Sequence, residues 1–319
     1  MADVGEFGFI DEIKRHFVSS NSKKVTVPLG DDCFCFKAGN ENICVTKDML
    51  VEGVHFKKEW TTAKELGAKA VEVNVSDIVS MGDAKPKYLF AGIGLPSDTD
   101  YEHVKQLYAG IKSACKKYGI IISGGDTVRS DKIIISITLV GVTGKNVITR
   151  SGAKAGDFIG VTNTFGDAGA GVVLLYKHGA KHKFNANEKF LISRQNSPKA
   201  RLKEASVISK YATSMTDASD GLDVSIKLIA AKGADIELSE VPLSKSLKAE
   251  FDKNEQLKYA LFGMEDFELV FTVPPAKIKD IVKLLPNVSF IGRITNSKKV
   301  KYFYNGKEQK IKPSGFKHF

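Results

Sequence analysis

Helical stripes alternate with short, β-branched apolar runs along this chain, and that alternation leaves few folds open. In one stripe Leu66, Ala70, Val73, Asp77 and Met81 share a side of a helix that Thr62 can cap. A second, Val104, Leu107, Ile111, Ala114 and Tyr118, runs into Gly119, a residue suited to a left-handed helix terminus. A third, Leu222, Ile226 and Ile229, stops before Gly233. Residues 43–46, 88–95, 119–122, 133–142 and 158–162 read as strands between them. Strands mixed with helices in this way predict an α/β or α+β fold. The turn formers of Arg150-Ser-Gly-Ala-Lys-Ala-Gly-Asp157 near mid-chain predict a domain boundary, giving domains at 1–150 and 151–319. The sequence contains neither an internal repeat nor a low-complexity segment.

With 319 residues, 43% of them hydrophobic, the chain can bury a substantial core. Asp3, Glu6, Asp11 and Glu12 interrupt the start, and residues 133–142, the longest apolar-dominated run, contain Ser136 and Thr138, so neither a signal peptide nor a membrane span is expected. Four cysteines are too few for a disulfide framework, and Cys33 and Cys35 alternate along a strand. They fit buried thiols in the cytoplasm; a lone C-x-C lacks partners at metal-ligand spacing. The formal charge of +10 comes from dispersed lysines, which favours anionic small ligands such as nucleotide phosphates over nucleic acid.

The acids carry more information. Asp31 and Asp32 follow Gly30, Asp48 ends the strand at 43–46, Asp126 follows Gly124 and Gly125, and Asp217 and Asp220 precede Gly221 and a helix. Loop positions beside rigid elements are where functional groups are mounted. Asp77 lies on an apolar helix stripe, where an unpaired charge would cost several kcal/mol, so a cation is expected opposite it. For Asp31, Asp157 or Asp167 alone a structural salt bridge is the simpler account. Several acids in one cleft would instead repel one another without cations. Oxygen ligands without a His/Cys cluster point to Mg²⁺ or Mn²⁺, the equipment of phosphoryl transfer. No Walker-type loop or protein-kinase motif set occurs, so any ATP chemistry must use another scaffold. Phe165-Gly-Asp-Ala-Gly-Ala-Gly171 could offer free N–H groups to phosphate, or could be a tight turn with close helix packing.

Gly5-Glu-Phe7, Gly30-Asp-Asp32, Asp48-Met-Leu-Val-Glu-Gly-Val-His-Phe56, Asn74-Val-Ser-Asp-Ile78, Met81-Gly82, Gly124-Gly-Asp-Thr127, Arg150-Ser-Gly-Ala153, Asp217-Ala-Ser-Asp-Gly-Leu222, Gly263-Met-Glu-Asp-Phe-Glu-Leu269 and Gly315-Phe-Lys-His-Phe319 occur in that order. This series resembles thiamine-monophosphate kinase across nearly the whole chain. The resemblance implies the two-domain fold of the aminoimidazole ribonucleotide synthetase superfamily, a homodimer paired through N-terminal strands, and an ATP site between the domains near the subunit interface. It further implies Mg²⁺ ligands at Asp32, Thr46, Asp48, Asp77, Asp126, Asp217 and Asp220, with Lys47 in the same shell where the family has Thr or Ser. Tyr108, Gly125, Asp126, Arg150 and Ser219 would contact ATP, and His55, Glu265 and Phe319 would contact thiamine monophosphate. Asp48, Asp126 and Arg150 would carry the catalysis. A satisfied core histidine is the alternative for His55, and helix packing for Tyr108.

Met264 replaces a Gly of the family's usual Gly-Gly-Glu-Asp, Ala218 replaces a larger apolar residue, and Ser197-Pro-Lys-Ala-Arg201 departs from Pro-x-Pro-Arg. The implied reaction is in-line attack by the monophosphate on the γ-phosphorus of ATP. Selenide water dikinase would need a reactive residue before the first motif, yet the first cysteine is Cys33; the hydrogenase maturation factor would need a C-terminal Cys. Aminoimidazole ribonucleotide synthetase is the remaining enzyme alternative. A nucleic-acid-binding module would leave the strand-end acids unexplained.

Overall fold

The computed structural model of the protein describes residues 5–17, 23–144 and 146–311. The first half holds helix α1 (Gly5–Phe17), strands β1 (Val25–Val27), β2 (Phe34–Ala38) and β3 (Glu41–Val51), helix α2 (Ala63–Ser80), β4 (Lys85–Leu95), α3 (Tyr101–Tyr118), β5 (Ile121–Arg129) and β6 (Ile134–Thr143). Its strands form one sheet in the order β1-β2-β3-β6-β4-β5. The second half holds β7 (Phe158–Thr162), α4 (Asp167–His178), α5 (Ala186–Asn196), α6 (Leu202–Ile208), β8 (Ser214–Asp217), α7 (Leu222–Ile229) and β9 (Ala234–Glu237). It continues through α8 (Lys245–Glu250), α9 (Lys253–Phe262), β10 (Leu269–Val273), α10 (Ile278–Leu284), β11 (Val288–Ile294), β12 (Val300–Tyr304) and β13 (Lys307–Gln309). These strands form a second sheet, β13-β12-β9-β11-β7-β10-β8. The chain adopts the expected α/β architecture, built on two sheets.

Thr62 caps α2 in a capping box with Glu65, and Gly119 ends α3 in the left-handed conformation (φ 68°). Gly119 therefore belongs to a helix terminus, and the strand expected over 119–122 begins at Ile121. The helix begun by Leu222 closes earlier than Gly233, with Ala230 at its C-cap.

Helix α2 is the central element. It packs against α3, β3 and β6 of its own half and against β8 and α6 of the other. One hydrophobic core accordingly joins Ala70, Val71, Val75 and Ile78 to Ala205, Ile208, Met215, Phe271 and Ile281 of the second half. A helix buried all round shows little amphipathic contrast, and the polar residues α2 buries, Lys69, Glu72, Asn74 and Ser76 among them, need partners. Paired glycines let α2 meet α3 closely: a Cβ on Gly67 would lie 2.0 Å from the Leu107 carbonyl oxygen, and one on Gly110 would lie 1.9 Å from that of Lys64.

The other face of the N-terminal sheet is open. Phe34 pairs with Val45, Val45 with Val140, and Val140 with Tyr88, so these residues form a row across four strands. Phe34, Met49, Tyr88 and Phe90 are exposed there, and every residue of the edge strand β5 is exposed. No helix among the described residues is long and apolar enough to cross a membrane.

Candidate functional site

Four segments converge at the end of α2 nearest β8. The turn after β1 supplies Asp31 and Asp32, β3 supplies Thr46 and Asp48, α2 supplies Asp77, and β8 with its following loop supplies Asp217, Ser219 and Asp220. Carboxylate oxygens of Asp32, Asp77 and Asp217 all lie within 4.8 Å of one another. Hydroxyls fix each one: Thr46 donates to Asp77, Ser76 to Asp217 (2.6 Å), and Ser80 (2.8 Å) and Thr216 (3.0 Å) to Asp32. The Asp48 amide donates to the Asn74 side chain at 3.2 Å. Helix α2 thereby sets the geometry of acids drawn from both halves.

Four of the acids here, Asp31, Asp48, Asp77 and Asp217, resist ionisation. Burial, followed by the charges of Asp48, Asp217 and Asp32, pushes Asp77 well above the usual carboxylate range. Burial and the neighbouring Asp32 push Asp217 up to about 8. Asp48 is raised to about 6 by burial and then by Asp220, Asp32 and Glu265, and Asp31 to about 6 by burial and Asp32. Among the described residues no cation pairs with Asp77 as expected: its neighbours are the Thr46 hydroxyl and more acids. The cation paired with the cluster is Arg150, whose guanidinium bonds Asp32 and, through Nε, Thr216 (3.2 Å), while its amide donates to Asp31 (3.0 Å). Crowded hard oxygen donors with raised proton affinity suit a divalent hard cation, which can replace the bound protons.

The remaining expected residues are dispersed. Glu265 and Asp220 lie near Asp48, as their effect on its ionisation shows, and the Ser219 carbonyl accepts the Glu265 amide at 2.7 Å. Lys47 turns away: residues alternate along β3, and its ammonium bonds Ser136 Oγ at 2.7 Å on the open face, so its side chain stands apart from the shell assigned to it. Asp126 is likewise not brought to the cluster. It pairs with Gly92, Gly92 with Ser136, and Ser136 with Met49, so it shares the open face with Ser136 and Lys47, opposite Asp48. Gly125 lies next to it on β5, where a Cβ would fall 2.0 Å from the Ala91 carbonyl oxygen. Tyr108 packs against the N-terminal core from α3. Phe319, with the closing motif, lies outside the described residues.

Beside the cluster opens a cavity of about 440 Å³ lined by His55, Trp60, Tyr176, Phe262, Met264 and Glu265. His55 Nδ1 accepts the Val51 amide at 3.1 Å, which orients the ring on the wall. Trp60 and Tyr176 meet edge to face with centroids 4.6 Å apart, and the Lys57 ammonium lies 4.7 and 4.5 Å from the two ring centres. An aromatic pair of this kind attracts cations. Sequence reasoning passed over these rings because aromatics in a loop and on a helix carry no periodic signal.

The Glu-Asp-Phe-Glu run divides its acids among separate tasks. Glu265 takes a left-handed backbone (φ 67°), faces the cavity, and pairs with Lys69 of α2 at 3.0 Å. Asp266 accepts the amides of Gly166 (2.7 Å) and Ala168 (3.2 Å). It thus fills the start of α4, and the glycine-rich stretch is a close-packed turn occupied by a protein carboxylate, not a phosphate cradle. Glu268, fully buried, holds Arg194 and Arg201 together. Arg201 therefore has a structural partner.

Two family models match the sequence: AIR synthase related protein, N-terminal domain, over residues 30–143, and AIR synthase related protein, C-terminal domain, over residues 154–305. Thiamine-monophosphate kinase of Aquifex aeolicus (strain VF5) is 36% identical over 324 residues, covering 100% of this chain and 99% of the relative. A solved structure described as "AaThiL complexed with AMPPCP and TMP" superposes with a TM-score of 0.88 at 35% identity, covering 100% of this chain and 98% of that one. Thiamine-monophosphate kinase from Stenotrophomonas maltophilia K279a gives a TM-score of 0.79 at 28% identity, covering 95% and 98%. With similarity running from end to end and both domain models matched in order, the chain belongs to the thiamine-monophosphate kinase family of AIR synthase related proteins.

Proposed function

We propose that the protein transfers the γ-phosphoryl group of ATP to the phosphate of thiamine monophosphate, giving thiamine diphosphate and ADP. The observation that carries this reading is the junction of an acid cluster with an aromatic cavity. Asp32, Asp77 and Asp217 crowd within 4.8 Å, and Glu265 joins them to the cavity. Support comes also from the relative solved with AMPPCP and TMP, 35% identical along the whole chain.

A phosphate monoester loses its second proton near pH 6, by analogy with phosphorylated side chains, so the attacking oxygen is largely ionised at neutral pH. No general base is then needed. The obstacle is the approach of two polyanions. Asp32, Thr46, Asp48, Asp77, Asp217 and Asp220 would hold Mg²⁺, which when bound would supply charge neutralisation between the two polyanions. Arg150 and Ser219 hold the nucleotide phosphates, and Arg150 opposes charge that develops on the transferred group. His55 and Glu265 orient the acceptor in the cavity, while the rings of Trp60 and Tyr176 suit a cationic heterocycle; Phe319, assigned to the same substrate by resemblance, lies outside the described residues. We place the domain junction at 150/151 and the enzyme in the cytoplasm, where four free, buried thiols are stable.

A second copy of this chain is proposed to cover the open apolar face, forming a homodimer. Asp126 lies on that face and Gly125 beside it, so with Tyr108 they serve the nucleotide site from the subunit boundary. Phe90→Lys is expected to shift sedimentation from the mass of two chains to that of one. A wild-type protein that sediments as a single 34.8 kDa chain at micromolar concentration counts against the dimer.

Incubation with ATP, MgCl₂ and thiamine monophosphate, followed by oxidation and fluorescence detection, should yield thiamine diphosphate. Absence of product with all three present overturns the assignment.

A further inference from the structure

We propose that Lys69 is a positioning residue for thiamine monophosphate, holding the Glu265 carboxylate on the cavity wall and off the neighbouring acid cluster; this rests on the reading given above. Lys69 is a buried lysine near the middle of α2, and its ammonium lies 3.0 Å from Glu265 Oε2, across the seam between the halves. The backbone of Glu265 is already fastened by its amide to the Ser219 carbonyl, so the side chain alone decides where the charge lies. That charge is close enough to Asp48 to raise its proton affinity. Without Lys69 the carboxylate would remain beside a divalent-cation cluster with no partner of its own, and would be drawn toward bound metal instead of the acceptor. Lys69 follows the pattern of α2, in which Ser76 and Ser80 each hold one acid, Asp217 and Asp32, from another segment.

A buried ion pair could also serve only to join the two halves, and the substrates separate the two roles. Lys69→Met should raise KM for thiamine monophosphate about tenfold or more, the scale of a lost charged hydrogen bond, with KM for ATP within about twofold of wild type. Lys69→Arg should recover most of the loss. Calorimetric Kd for thiamine monophosphate, measured with MgCl₂ and a non-hydrolysable ATP analogue, should move in parallel. In the Glu265→Gln background, Lys69→Met should add nothing, since Lys69 acts through that carboxylate. The double variant leaves no orphaned charge, so it remains readable if Lys69→Met alone does not fold. Additive losses, or equal rises in both KM values, overturn the proposal. If the wild type makes no thiamine diphosphate, the functional reading falls and this inference with it; a working wild type with an indifferent Lys69→Met defeats the inference alone.

Discussion

Asp77→Asn is expected to lower turnover at least about a hundredfold, the scale of removing one preorganised electrostatic partner, while making the metal-free protein more stable. The two effects have one cause. Asp77 is half-buried, with carboxylate oxygens of Asp32 and Asp217 within 4.8 Å, and no ion pair reaches it among the described residues. Asn keeps an oxygen for the Thr46 hydroxyl to donate to. It removes a charge whose burial and repulsion the fold must otherwise offset. In EDTA the thermal midpoint should rise by roughly 3 °C or more, since about 1 kcal/mol moves a large domain by 2–4 °C. Added MgCl₂ should stabilise the variant much less than the wild type, because binding to the native state adds stability in proportion to affinity. An Asp77→Asn protein with near-normal turnover would remove the acid cluster from the mechanism.

A second large effect is a pH dependence that reverses the usual acid denaturation of carboxylate-rich proteins. Asp217 is raised from 3.8 to about 8, Asp266 to about 8, and Asp48 and Asp31 to about 6. Each carboxyl binds its proton more tightly folded than unfolded, so over this range the native state carries more protons. Stability then falls as pH rises, and the cost is complete above the folded pKa. In EDTA the thermal midpoint should therefore climb as pH drops from about 8.5 to about 5.5, and flatten as the unfolded carboxyls begin to protonate near 4. Saturating MgCl₂ should reduce the slope, because the cation competes with those protons. Part of the slope should survive, since Asp266 lies at the start of α4 among the amides of Gly166 and Ala168, Asp167 and Arg194. A midpoint that falls on acidification in EDTA would contradict these shifts.

Much of this was legible in the sequence where local physics decides. The caps at Thr62 and Gly119 follow from hydrogen bonding within a few residues, and β7 occupies residues 158–162 as expected. Asp77 announced itself as a charge on an apolar stripe, although its neighbours proved to be more acids. Lys69 carries the same signal on the same helix, but a lone lysine in a helix is usually an exposed one. Asp126 and Lys47 show a different limit. Strand alternation says that neighbours face opposite ways, but which face meets the cluster depends on the partners of β3 and β5 in the sheet, which sequence order does not reveal. Nor could local sequence show that Asp266 would fill the glycine-rich turn a hundred residues away.

The core that runs through α2 from one sheet to the other also bears on descent. A gene fragment encoding either half would expose an oily seam where Ala205, Ile208 and Met215 now rest against the helix. Recombination can exchange such halves only between chains that already share the same seam, so the two should travel through lineages as an inseparable couple, whatever their separate outlines suggest.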